Sequence, residues 1–157
     1  MSSTDLADAV PALRRAVAPP GRFAELFPTA TAIELTAYLM DGLAEAQLDR
    51  FLLDRTMDED GVVTDALTAA QVALVVFYGS TRILENEIRD RRTRRNYQAG
   101  PAVFEEEQSA QVLVQLLKDA TARKKDLRDE ARLAGTAAAF AMADMYLVRS
   151  GVYPGFG

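Results

Sequence analysis

Between Leu67 and Tyr97 apolar and polar positions recur at helical spacing, but the two halves of the stretch differ in kind. Ala69 to Tyr78 is apolar nearly all round, as expected of a helix covered on several sides. From Arg82 the apolar residues thin to Ile83, Leu84 and Ile88, while Arg89, Arg91, Arg92, Arg94 and Arg95 crowd the end. Leu74, Phe77, Thr81, Leu84 and Ile88 keep a spacing of three and four, so one stripe runs through both halves. The pattern predicts one long helix that starts buried and ends exposed. About 30 residues at ~1.5 Å each make a rod of about 45 Å. A compact globule of this chain length is roughly 40 Å across. Either the protein is elongated or the Arg-rich end lies against another molecule.

Three further helices follow from the same reasoning. Thr29 or Thr31 with Glu34 has the spacing of a capping box, and Ile33, Leu35, Tyr38, Leu39, Leu43, Ala46, Leu48, Leu52 and Leu53 carry a helix to about Arg55. Tyr38 and Leu48 are read as core positions. Asp58-Glu59-Asp60-Gly61 before Val62-Val63-Thr64 marks a solvated turn and a short extended piece, without the ligand spread of a calcium loop. Thr68 and Gln71 form a second capping box at the head of the long helix. Asn96 to Phe104, with Gly100 and Pro101, is a short loop or hairpin. Leu113, Leu116, Leu117, Ala120, Leu127 and Ala131 then mark a second long helix, with Arg123-Lys124-Lys125 as a solvated face. Gly135 interrupts it, and Ala137 to Val148 forms a last, Ala-rich helix.

The expectation is an all-α bundle of about four helices near 31–55, 67–97, 105–133 and 136–149, in one domain spanning 1–157. Residues 1–30, with Pro11, Pro19, Pro20, Gly21 and Pro28 and with one short amphipathic turn or two around Val10 to Val17, read as an N-terminal arm rather than a core element. Phe23, Leu26 and Phe27 must dock on something, the protein's own helices first of all. Residues 150–157 read as a Gly/Pro-rich docking tail carrying Val152, Tyr153 and Phe156.

Composition narrows the chemistry. Cys and His are both absent, which removes thiol nucleophiles, imidazole bases, disulfides and the usual zinc, haem and di-iron ligands. No Gly-rich phosphate loop or nucleophile elbow is present, and Asp144 is the one carboxylate set inside an apolar run. No catalytic residue, cofactor site or metal site is expected. No apolar run approaches 18 residues and no signal-peptide pattern opens the chain, so an intracellular protein without a membrane span is expected. A net charge of -5 argues against whole-surface binding to nucleic acid, though a local basic patch is a different matter. Acidic-to-basic pairs at four-residue spacing (Glu85 to Arg89, Glu87 to Arg91, Asp90 to Arg94) account for part of the Arg density. The concentration of Arg92, Arg94 and Arg95 beside Tyr97 suits an interface instead.

Four strings in order carry a resemblance: Glu25-Leu26-Phe27-Pro28, Ala44-Glu45-Ala46-Gln47-Leu48-Asp49, Ala70-Gln71-Val72-Ala73-Leu74-Val75-Val76-Phe77-Tyr78, and Ala99-Gly100-Pro101-Ala102-Val103-Phe104-Glu105-Glu106-Glu107-Gln108-Ser109-Ala110. Together, over residues from about 10 to 150, the chain resembles the head-to-tail adaptor proteins of long-tailed actinobacterial phages, within the wider helical head-tail connector family. The resemblance implies a virion subunit made in the bacterial host cytoplasm. It would be repeated in a dodecameric ring beneath the portal protein, above a stopper or tail-completion protein, with DNA passing through the channel. It implies neither enzyme activity nor cofactor. On this reading Arg89, Arg91, Arg92, Arg94, Arg95 and Tyr97 belong to a subunit or portal interface, and Val152, Tyr153 and Phe156 anchor the tail in a partner. The rival reading is a nucleic-acid-binding helical phage protein, such as a packaging recognition subunit, that uses the same arginines on DNA.

Overall fold

In a computed structural model the backbone of residues 2–95 and 101–150 is described, with side chains for residues 2–94 and 108–135. Tyr97, Val152, Tyr153 and Phe156 lie outside it, as do residues 96–100 of the stretch expected to form a loop or hairpin from Asn96 to Phe104; residues 101–104 of that stretch are helical instead. The chain is mostly helical, as the apolar pattern predicts, with five α-helices, a 3-10 turn and one small sheet. Contacts gather it into two units, Met1–Lys124 and Lys125–Gly157.

The first unit opens with a strand, β1 (Ser3–Asp5), that pairs antiparallel with β2 (Val62–Thr64) in the register Ser3 to Thr64, Thr4 to Val63 and Asp5 to Val62. β2 also folds back on Met57 through the Asp58–Gly61 turn. There the Asp58 carboxylate accepts from the amides of Asp60 (3.0 Å) and Val62 (2.8 Å), and Gly61 takes a φ of +86°. The acidic cluster is thus turn chemistry, as its composition predicts.

After β1 the chain does not run off as an arm, and the expectation for residues 1–30 is corrected here. Asp5 caps a 3-10 turn (Leu6–Ala9) that leads into α1 (Val10–Val17). Leu6, Val10, Leu13 and Val17 form a buried stripe at spacings of four, three and four. Pro11 is compatible with this helix because it sits in the first turn of α1, where no backbone donor is required. α2 (Phe23–Leu26) is one short helix. The Phe23 and Phe27 rings stack at 5.0 Å and the Arg14 guanidinium lies 5.5 Å from the Phe23 centroid. Leu26 and Phe27 are buried, so these residues dock within the chain.

α3 (Ala32–Leu48) starts at Thr31, which resolves the choice between the two threonines. The Thr31 hydroxyl accepts from the Glu34 amide (3.2 Å) and the Glu34 carboxylate accepts from the Thr31 amide (2.9 Å). The helix ends seven residues short of the expected Arg55. The Phe51 amide reaches back to the Ala46 carbonyl and that of Arg50 to Gln47, a closing motif that puts Arg50 at φ 69° without a glycine. Gln47 then donates its side-chain amide to the carbonyls of Leu52 (3.2 Å) and Arg55 (2.8 Å). This turn takes Leu48 and Leu53 off the core stripe, and they are 84% and 66% exposed. Ile33 is exposed too.

α4 (Ala69–Arg95) begins with the predicted capping box of Thr68 and Gln71, whose side chains each accept from the other's amide (2.9 and 3.3 Å). Leu74, Val75, Val76, Tyr78, Ser80 and Thr81 are buried, whereas Glu85, Arg89 and Asp90 are exposed. The helix therefore has the two regimes that the pattern implies. α3 and α4 run antiparallel: Asn86 donates to the Tyr38 hydroxyl (3.1 Å) at one end, and Arg82 reaches Glu45 (3.1 Å) nearer the other. Between them a Cβ on Gly42 would lie 2.7 Å from both the Gly79 nitrogen and the Val75 carbonyl oxygen. The backbones touch there, which only glycine permits. Leu35, Leu39 and Leu43 complete the core with Ile83, Leu84 and Ile88 from α4.

α5 (Pro101–Ser150) replaces the two helices expected at 105–133 and 136–149. Pro101 occupies its first position, and Gly135 stays helical. A single glycine costs a helix only about 1 kcal/mol, which good helix formers on both sides offset. In the first unit Leu113 and Ala120 belong to the core. In the second, Leu133 is exposed. Among the described residues no helix is long and apolar enough to cross a membrane.

Candidate functional site

Arg89, Arg91, Arg92 and Arg94 at the end of α4 do not form one patch. Arg89, Arg92 and Arg94 are exposed, while Arg91 is drawn inward until its side chain is 11% exposed. The Arg91 guanidinium donates through Nε to Glu87 (2.8 Å), through Nη2 to the Leu26 carbonyl (2.6 Å) and through Nη1 to the Ser109 hydroxyl. It thereby ties α2, α4 and α5 together, and places a cation on a carbonyl left open at the end of α2. Of the three acidic-to-basic pairs read from the spacing, Glu87 to Arg91 closes as an ion pair. The Arg95 side chain lies outside the description.

Two concavities flank this end of α4. A groove of about 400 Å³ is lined by Glu85, Ile88, Arg89, Arg92, Thr93 and Leu117, so two apolar side chains and two arginines border it. On the other side, a cleft of about 450 Å³ opens between α4, the start of α3 and the turn before it. Glu25, Glu34, Glu87 and Asp90 line it, with Arg91 and Arg94 as the cations. The Glu34 and Glu87 carboxylates are already engaged, in the α3 cap and with Arg91. The Tyr38 hydroxyl at its wall accepts from Asn86.

One polar cluster is absent from the sequence-based reading. Tyr78, fully buried, donates its hydroxyl to Asp49. The Lys124 ammonium sits 4.9 Å from the Tyr78 ring centroid and 3.4 Å from both Glu45 and Thr81. Glu45 is shared with Arg82. Lys124 therefore does not belong to a solvated face, unlike its exposed neighbours Arg123 and Lys125. The cluster joins α3, α4 and α5 and is spent on structure. No motif marks it, because its members are ordinary helix-surface residues that only packing brings together. Among the described residues no group of three carboxylates is arranged to hold a metal ion.

Comparisons with protein-family models, curated proteins and solved structures gave no match to the chain.

Proposed function

We propose that the chain is a structural head-to-tail adaptor subunit of a long-tailed phage, repeated in a ring beneath the portal and joining the DNA-filled capsid to the tail. Its partners are the portal protein, neighbouring copies, and a stopper or tail-completion protein below. It acts without catalysis or cofactor, and the DNA that passes its ring is not read in sequence. The observation that carries the reading is the groove at the end of α4, where Arg89 and Arg92 line the same groove as the apolar Ile88 and Leu117. Guanidiniums beside apolar surface suit a protein partner, since arginine is enriched and lysine depleted at such contacts. The ordered strings that resemble adaptor proteins point the same way.

The test mixes the purified protein with candidate portal rings and examines the particles by negative-stain electron microscopy. An added ring of density at one end of the portal is the expected result. The absence of portal association at every salt concentration would sink the adaptor reading. A second reading, a nucleic-acid-binding subunit, draws on the same exposed Arg89, Arg92 and Arg94. It requires DNA binding that falls steeply with salt.

A further inference from the structure

We infer that the outward face of α3 docks a helix of another protein, one whose apolar stripe is bordered by arginine or lysine. The inference is drawn from α3 and the turn beside it and does not depend on the adaptor reading. α3 is apolar nearly all round: Glu34, Asp41 and Glu45 are its charged residues, and it contains no Lys or Arg. A helix of that make-up is expected to be covered on more than one side. The side carrying Leu35, Leu39, Leu43 and Ala46 is buried in the core. The opposite side stands in solvent, with Ile33 83% and Leu48 84% exposed and Ala37 and Ala44 exposed between them.

These four residues and the half-buried Met40 form one strip. At about 3.6 residues per turn they fall within an arc of roughly 80°. They follow one another at spacings of three and four, the spacing of a seam between helices. Ala37 and Ala44 lie between the larger Ile33 and Leu48, and small side chains there let a second helix approach to about 8 Å.

Charge defines the partner. Along one edge of the strip run Glu34 and Asp41, both exposed. Along the other lies the Asp58–Gly61 turn, since a Cβ on Gly61 would sit 3.3 Å from Thr36 Cγ2 and 3.4 Å from Met40 Sδ. The exposed carboxylates of Asp58, Glu59 and Asp60 therefore stand beside the strip. Cations at the closing end of α3 are already matched, Arg82 and Lys124 by Glu45, and Arg55 by Asp54 and Asp65, while Arg50 is exposed. An apolar strip with acidic rims selects a stripe with basic rims. The same rims repel nucleic acid and anionic lipid. Among the described residues the exposed large apolar side chains outside α3, Leu53, Val112 and Leu133, lie singly, so the chain offers no matching stripe of its own.

The test titrates full-length protein with three synthetic helical peptides by calorimetry and by amide NMR shifts. One carries a leucine stripe bordered by arginines, one has glutamates in place of the arginines, and one has serines in place of the leucines. The first is expected to bind, with shifts centred on residues 33–48 and 58–61, and the other two are not. Ala37→Glu with Ala44→Glu is expected to weaken that binding by about tenfold or more, because carboxylates then meet the leucine stripe. Both positions are exposed and Glu is a good helix former, so folding should survive; if circular dichroism shows otherwise, Ile33→Ser with Leu48→Ser replaces the pair. Failure of the first peptide to bind, shifts centred elsewhere, equal binding of the serine peptide, or a variant that binds like wild type would each overturn the inference. Self-association through this face, lost in the variant and untouched by the peptide, would also overturn it and make a second copy the occupant.

Discussion

Lys124 of α5 lies over the Tyr78 ring and shares Glu45 with Arg82, whereas a few turns along α4 from Tyr78 Arg89, Arg92 and Arg94 stand in solvent. Both regions hold cations on or against α4, and both look alike as strings of residues. The difference lies in what faces each side chain. Near Tyr78 the ring is α4's own, the end of α3 supplies the carboxylates of Glu45 and Asp49, and α5 supplies the ammonium. Beyond Ile88, among the described residues, Arg89, Arg92 and Arg94 are exposed and Arg91 turns inward. Arg91 and Arg92 are neighbours in sequence, one a brace and one a surface group. Residue type therefore does not assign a role on this helix; angular position does.

Four substitutions sharpen or break that comparison. The largest effect is expected at Gly42, in the sealed region, where an added Cβ meets backbone atoms at 2.7 Å that have no side chain to swing away. Gly42→Ala should cost about 3 kcal/mol, seen as a fall of roughly 10 °C in Tm for a chain of this size. An unchanged melting temperature would mean that α3 and α4 are not held in contact. Next comes Arg91→Ala, which strips partners from Glu87 and the Leu26 carbonyl and should cost about 2 kcal/mol in urea titrations. Arg89→Ala should stay within about 0.5 kcal/mol of wild type. Equal costs at the two positions would erase the distinction between brace and surface group. Between Arg91→Ala and Arg89→Ala lies Lys124→Met, which keeps an apolar stem over Tyr78 but loses the charge, for about 1 kcal/mol. A double-mutant cycle with Glu45→Gln should recover part of that loss as coupling. Strictly additive effects would mean that the ammonium and Glu45 do not interact.

Much of the helical architecture is legible in the sequence because it rests on local signals. The capping boxes at Thr31 and Thr68 and the stripe through Leu74, Leu84 and Ile88 are short-range patterns with one physical solution each. What escapes depends on distant partners. The stop of α3 at Leu48 is imposed by a side-chain clamp from Gln47 and by an Arg in a left-handed conformation, with no Gly or Pro to announce it. The run through Gly135 shows the opposite error, a breaker too weak to break. At the N-terminus the amphipathic turn around Val10 to Val17 is legible, but its place in the core is not, because the helices that cover it lie far along the chain. Within the candidate site, the Arg cluster is visible as composition, but its division into Arg91 against Arg89 and Arg92 requires knowing where α2 and α5 lie.

The pairing of Thr4 with Val63 also sets an order in time. A ribosome delivers the first of these about 60 residues before the second, and at ~5–20 residues per second the wait is on the order of 3–12 s. During that interval Leu6, Leu13 and Val17 have no α4 to cover them. Nascent chains should therefore be vulnerable to proteases and to chaperone capture until α4 emerges, and should become protected soon after.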